Sequence, residues 1–252
     1  MNFGVIGGTG FYTFTEGEEE VEVSTAYGPV RVSRTAIGGV EVAFIARHGA
    51  GHGIPPHRVN YRGNIAALKQ LGITNILASA SVGSMSDAMP PGSLVIVTQF
   101  LDFTKSRAGT FYDGEGGKVV HTDMTDPYCP VLRGELRRAG AALNEAVRDE
   151  GTYVCVEGPR FETSAEIEMF RRMGADVVGM TNVPEVALAR EAGICYAAMA
   201  AVTNWAAGIS PEPLRHEEVS GFMEAQTPRL RALFEHVIAH HEDAGCACRR
   251  RV

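Results

Sequence analysis

The chain has 252 residues, 45% of them hydrophobic and 21% charged, with a mean hydropathy of −0.03. That is the balance of a soluble folded domain, and it excludes wholesale disorder, collagen and coiled coil. The 23 Lys and Arg against 30 Asp and Glu leave a net charge of −7, which disfavours non-specific binding to nucleic acid or to an anionic membrane, so an anionic small ligand needs its own local cluster of donors.

In chain order, residues 2–7 (NFGVIG) form a short apolar run ending in glycines, the pattern of a buried strand and turn. From Glu19 to Ile45 apolar and polar residues alternate, with glycines between the runs, which predicts a three-stranded meander. Residues 46–58 are a polar Gly/Pro/His loop. Apolar positions at helical spacing follow from Val59 to Gly72. Two strands, NILASASVGS and SLVIVTQFLDF, precede a long polar loop over 104–128, whose length points to a functional or partner-packing role. A helix then opens at Pro130, TYVCVEG is a strand, and a helix after it takes Ser164 as N-cap. ADVVGM is a strand, PEVALAREAG a helix, and ICYAAMAAVTNWAAG a strand that breaks at Asn204. A mostly helical segment ends the fold. Strands alternating with helices after an antiparallel meander predict a three-layer α/β/α domain with a mixed central sheet. About 150 residues per domain permits one or two domains, but no linker or repeat divides the chain, so residues 1–252 are read as one domain with a flexible tail at 243–252.

The first residues lack the basic and apolar regions of a secretory signal, and no window reaches the ~20 apolar residues of a membrane helix. The five cysteines, Cys129, Cys155, Cys195, Cys246 and Cys248, show no framework spacing, which suggests a reducing, cytoplasmic setting. The Cys246-x-Cys248 pair is read as an exposed tail with two free thiols; a redox loop or soft-metal site is the alternative.

Six stretches carry chemistry. Gly7-Gly8-Thr9-Gly10 follows a strand, where backbone N–H groups and the Thr9 hydroxyl can meet an anion, although neither the dinucleotide fingerprint nor a Walker lysine is completed. Arg47-His48, with His52 nearby, puts cationic and polar groups at a strand end. There Arg47 is expected to hold a phosphate bidentately and His48 to donate a further bond; no third ligand suggests a metal. The small residues from Ala78 to Ser84, including Ala80 and Ser81, allow close backbone approach. Phe161 and Glu162 after Gly158-Pro159 offer a ring and a carboxylate to a flat heterocycle, or else a core ring and a first-turn acid. Met180-Thr181 and Asn204 sit at predicted carboxyl ends of strands, where open α/β sheets bind ligands, and an amide interrupting an apolar strand needs partners.

GGTGFY, RHGAGHGIPPHRVNYRGNI, DFTKSRAGTFYDG, VEGPRF and GMTNVPEVALAREAGICYA, together and in this order, resemble the trimeric nucleoside phosphorylase family, which includes methylthioadenosine phosphorylases and the small purine nucleoside phosphorylases. The resemblance spans Gly7 to about Trp205. It implies a homotrimer, inorganic phosphate as co-substrate, and no metal or organic cofactor. It implies a phosphate site of Thr9, Arg47, His48, the backbone at Ala80-Ser81 and Thr181, with Met180 against the ribose and Phe161, Glu162, Asn204 and Ala206 at the base. It also implies that His121 reaches the 5′ substituent in a neighbouring subunit, and that the 5′ pocket depends on Gly221 and Phe222.

Two positions depart from the methylthioadenosine branch. That branch has acids after the last strand where this chain has Thr203-Asn204-Trp205-Ala206, and a small hydroxyl residue where it has Glu162. An Asn204 amide can donate to O6 and accept from a protonated N7, and Glu162 can accept from N1–H. The expectation is therefore phosphorolysis of 6-oxopurine nucleosides, inosine and guanosine, with Asn204, Arg47 and His48 as the catalytic groups. The alternatives are a methylthioinosine or methylthioadenosine phosphorylase, and a hydrolase of the same fold.

Overall fold

The computed structural model describes residues 2–14, 19–49, 51–114, 117–210, 216–242 and 245–249, with backbone alone at 216–220. Strand β1 (Phe3–Gly7) is buried along its whole length, because parallel strands flank it on both sides: β4 (Val40–Ala46) and β5 (Asn75–Ser84). A strand covered on both faces must be apolar throughout, and FGVIG is. The alternating segments pair antiparallel as β2 (Glu19–Thr25) and β3 (Gly28–Ile37), with β3 also antiparallel to β4, completing the predicted meander at one edge.

The other half of the sheet contains β6 (Leu94–Phe103), β7 (Val147–Val156), β8 (Val177–Gly179) and β9 (Cys195–Trp205). Among the described residues the nine strands run β2-β3-β4-β1-β5-β8-β7-β6-β9, and β9 returns to pair with β5. Strands β5, β8, β7, β6 and β9 thus close on themselves, a refinement of the mixed sheet that the element pattern predicts.

Helices cover both faces, as the three-layer reading requires. On one side α1 (Tyr61–Gln70) packs with α4 (Asn182–Glu191), sharing a core of Ile65, Leu68, Val186 and Leu188 with the sheet. On the other, α2 (Pro130–Ala142) packs with α5 (His216–His240) through Leu132, Leu136, Leu230 and Phe234. Helix α3 (Ser164–Arg172) lays Ile167 and Phe170 on Val154 and Val178. No helix among the described residues is long and apolar enough to cross a membrane.

Four local expectations change. The N-cap of α3 is Thr163, not Ser164: its hydroxyl accepts from the Glu166 amide while the Glu166 carboxylate accepts from the Thr163 amide, a reciprocal capping box. Strand β7 begins at Val147, earlier than predicted, and β9 runs through Asn204 to Trp205 instead of breaking there. Of the tail, residues 245–249 are not loose: Ala247–Arg249 form a short 3₁₀ turn, Cys248 is buried, and Arg249 donates to Asn75 Oδ1.

Candidate active site

Strands β1, β4, β5 and β9 are parallel, so their carboxyl ends lie on one side of the sheet. A cavity of about 400 Å³ opens there, within the range of small-molecule sites. Its lining brings together Thr9, His48, Ala80, Ser81, Phe161, Glu162, Met180, Thr181, Asn204 and Ala206. These are ten of the residues predicted for the site, drawn from six separate stretches. Arg47, His121, Gly221 and Phe222 are not in the lining.

Arg47 departs most from expectation. It is 2% exposed, and its Nε and Nη2 both donate to the Glu185 carboxylate at 2.7 Å, while Nη1 donates to Ser79 O at 2.8 Å. The fork expected to grip phosphate is closed on Glu185. Burial opposes the charge on Arg47, but Glu185 outweighs it and holds its pKa above the ordinary value. Glu185 is itself fully buried and also accepts from Tyr196 Oη at 2.7 Å. The guanidinium fixes the cavity floor: the Arg47 amide donates to Gly7 O, and Ser79, whose carbonyl Arg47 holds, accepts through Oγ from the Gly8 amide at 2.9 Å. Gly8 permits this closeness, since a Cβ there would lie 2.9 Å from Ser79 O and 3.1 Å from Arg47 Nη1. Sequence reasoning gave Glu185 no role; the available signal was an acid amid the apolar residues of α4, which demands a buried cation.

His48 is 4% exposed, and its Nδ1 lies 2.8 Å from Ile54 O. Burial, helped by the nearby Arg47 charge, lowers its pKa to about 4. The ring is therefore neutral near pH 7, with the proton on Nδ1 facing the carbonyl, so Nε2 is an acceptor, not the donor expected. His52 joins this corner, its Nδ1 3.1 Å from Tyr12 Oη and its ring centroid 4.7 Å from that of His48.

At the other end of the cavity, the Asn204 amide is oriented by its neighbours. Nδ2 donates to Trp205 O at 2.7 Å and Oδ1 accepts from Thr203 Oγ1 at 2.8 Å. A flipped amide would set Oδ1 against a carbonyl, so this orientation is determined. Thr203 has one hydroxyl proton, and with Asn204 taking it, Ser81 Oγ is the donor across the 3.2 Å to Thr203 Oγ1. A hydrogen-bond chain thus links Ser81 to Asn204; Thr203 is a site residue that the sequence reading passed over. One Nδ2 proton and one Oδ1 lone pair remain for a ligand.

Glu162 is partly buried, and burial raises its carboxyl above the ordinary value. Phe161 is 36% exposed at the rim. Met180 Sδ packs over Gly158, where φ is +62° and a Cβ would come within 2.5 Å of the sulfur. Ala206 offers only its wall, because its amide donates to Ser84 O. Thr181 is buried, its amide on Tyr153 Oη at 3.2 Å. His121 is exposed. In the same loop, Arg107 donates to Val183 O and Glu157 O, which ties the first part of the 104–128 segment to its own chain, while Val119 stands 69% exposed.

Comparisons with known proteins identify relatives of the whole chain. A sequence model of the Phosphorylase superfamily matches residues 2–239. The chain is 51% identical over 229 residues to a 6-oxopurine nucleoside phosphorylase of Pyrococcus furiosus, covering 88% of this chain and 86% of the relative. It is 46% identical over 253 residues to an S-methyl-5′-thioadenosine phosphorylase of Pyrococcus horikoshii, covering 97% and 95%. Its fold superposes on methylthioadenosine phosphorylase from Schistosoma mansoni in complex with adenine with a TM-score of 0.91 at 34% identity, covering 95% of this chain and 91% of that one.

Proposed function

Because the chain belongs to the phosphorylase superfamily, we infer that it is a purine nucleoside phosphorylase, a pentosyltransferase that cleaves 6-oxopurine nucleosides with phosphate to give the free base and ribose 1-phosphate. The observation that carries this reading is the pairing of an oriented Asn204 amide with Glu162 in one cavity. Asn204 presents both a donor and an acceptor, which suits O6 and a protonated N7, and Glu162 accepts from N1–H. Adenine would set an N1 lone pair against Glu162, a mismatch costing roughly 1–3 kcal/mol in a buried site.

At the opposite end, Thr9 and the Thr181 hydroxyl supply neutral donors to phosphate, with the backbone at Ala80-Ser81 beside them. Arg47 and Glu185 cancel each other's charge, and His48 is neutral, so binding a phosphate anion draws on hydrogen bonds more than on net charge. His48 Nε2 accepts a hydrogen bond from the P–OH of a monoprotonated phosphate, which leaves an unprotonated oxygen to act as nucleophile. That oxygen attacks C1′ as the C1′–N9 bond breaks and its electron pair leaves with the base. Asn204 stabilises the negative charge building on the ring, and the bound phosphate offsets the positive charge on the sugar. Met180 lies against the ribose and Phe161 packs at the base. The reaction uses no metal or organic cofactor, phosphate being a co-substrate.

A 5′-methylthio-6-oxopurine nucleoside is the second reading, favoured by the apolar Ile54, Pro55 and Pro56 in the lining. Exposed Val119, in the same loop as His121, supports a homotrimer in which that loop reaches a neighbour's site. The cytoplasm, with its free phosphate, is the compartment this reaction needs. The deciding experiment measures initial rates with inosine, guanosine, adenosine, methylthioadenosine and methylthioinosine, with and without phosphate. Phosphate-dependent cleavage led by the 6-oxopurines is expected. Equal turnover without phosphate, releasing free ribose, would instead establish a hydrolase.

A further inference from the structure

The four cysteines other than Cys155 come from three separate stretches of the chain yet meet in space. Cys129 occupies the N-cap position of α2, Cys195 opens β9, and Cys246 and Cys248 flank and enter the C-terminal 3₁₀ turn. Their four sulfur atoms all lie within 4.8 Å of one another, with Cys129–Cys246 at 3.4 Å and Cys246–Cys248 at 3.2 Å. Three of the four are buried. A tetrahedral tetrathiolate zinc site, with Zn–S near 2.3 Å, needs its sulfurs about 3.8 Å apart, so a small relaxation would seat the ion.

We propose that Cys129, Cys195, Cys246 and Cys248 form a structural zinc site that fastens the C-terminal segment to the sheet. Four soft thiolates within reach of one ion select zinc over harder cations. Binding releases the thiol protons to solvent and changes no oxidation state. A zinc ion with four thiolates carries a net charge of −2, and its surroundings suit that charge. Cys129 stands at a helix N-terminus, where the dipole favours negative groups. The site has a structural role because of its distance from the chemistry. Cys195 and Asn204 lie nine residues apart on one strand, about 30 Å at 3.3 Å per residue, and four protein ligands leave no position open for substrate.

The test is metal analysis of the intact protein, purified without chelator from zinc-supplemented cells and passed through EDTA-containing gel filtration. About one zinc per chain is expected. Cys246→Ser and Cys248→Ser should each lose it and melt earlier while keeping kcat within about twofold of wild type. Cys155→Ser, outside the cluster, should retain it. Cobalt added to the reduced, zinc-free protein should give thiolate-to-cobalt charge-transfer bands that the two serine variants lack. Zinc-free protein with no such bands would overturn the proposal. So would a mass showing one or two disulfides within the cluster, or zinc retained in both serine variants.

Discussion

Replacing Asn204 with Asp tests the base assignment most directly, and the structure sets its size. The wild-type amide gives one Nδ2 proton to Trp205 O at 2.7 Å and keeps the other for the base. A carboxylate in its place keeps the Thr203 hydroxyl bond but sets an anionic oxygen against the Trp205 carbonyl, and it meets O6 of the purine with like charge. Losing the donor to O6 should cost about 2–3 kcal/mol of transition-state stabilisation, or roughly 30–150-fold in kcat/KM for inosine. Adenosine, whose exocyclic amine can donate to the new carboxylate, should gain less, because Glu162 still faces an unprotonated N1. Adding Glu162→Ser should therefore improve adenosine turnover beyond the sum of the single effects, since both side chains touch one ring. The assay is kcat/KM for inosine and adenosine across wild type, both single variants and the double, with melting temperatures to separate folding from specificity. Inosine turnover in Asn204→Asp within threefold of wild type would refute the reasoning. So would wild-type cleavage of adenosine as efficiently as inosine.

Thr203→Val breaks the bridge between Ser81 and Asn204 and should lower kcat about 5–30-fold, the equivalent of one or two kcal/mol, with Thr203→Ser restoring most of it. Arg47→Met leaves Glu185 buried without its cation and should destabilise the fold by about 3–5 kcal/mol, and Arg47→Met with Glu185→Leu should recover much of that loss in chemical denaturation. His48 is neutral when folded, with a pKa of about 4 against 6.5 unfolded. Its contribution is therefore present in full above pH 6.5 and is lost as pH falls toward 4, because the unfolded chain takes up a proton that the folded one refuses. The difference is on the order of 3 kcal/mol, and His48→Gln should flatten the stability–pH curve in that window relative to wild type. Light scattering should give three times the 27.0 kDa chain mass, and a monomer at micromolar concentration would remove the case for an intersubunit role of His121.

Local patterns in the chain resolved whatever depends on near neighbours. The alternation from Glu19 to Ile45 became the edge meander, and the apolar run of β1 and the apolar and small-residue runs of β5 and β9 became buried strands, because burial on one face or two writes a different period into the sequence. The glycine-flanked strand ends marked nearly every lining residue of the cavity, since the closing of the mixed sheet gathers those ends whatever the distance between them along the chain. Illegible were the pairings that only closure of the fold creates. Arg47 and Glu185 are 138 residues apart; a cationic loop residue looks the same in sequence whether its fork faces phosphate or a buried acid. The thiols of Cys129 and Cys246, 117 residues apart, look like an unrelated core residue and tail residue until α2, β9 and the C-terminus converge. Asn204 shows a third case. An amide in an apolar strand reads as a break, yet β9 continues through it, because Thr203 and Trp205 satisfy it from within the strand itself. Those bonds use half of the amide's capacity and leave the other half directed to a ligand. A strand that tolerates an amide by satisfying only part of it thereby holds a rigid donor–acceptor pair at its carboxyl end, the element that discrimination between purines requires.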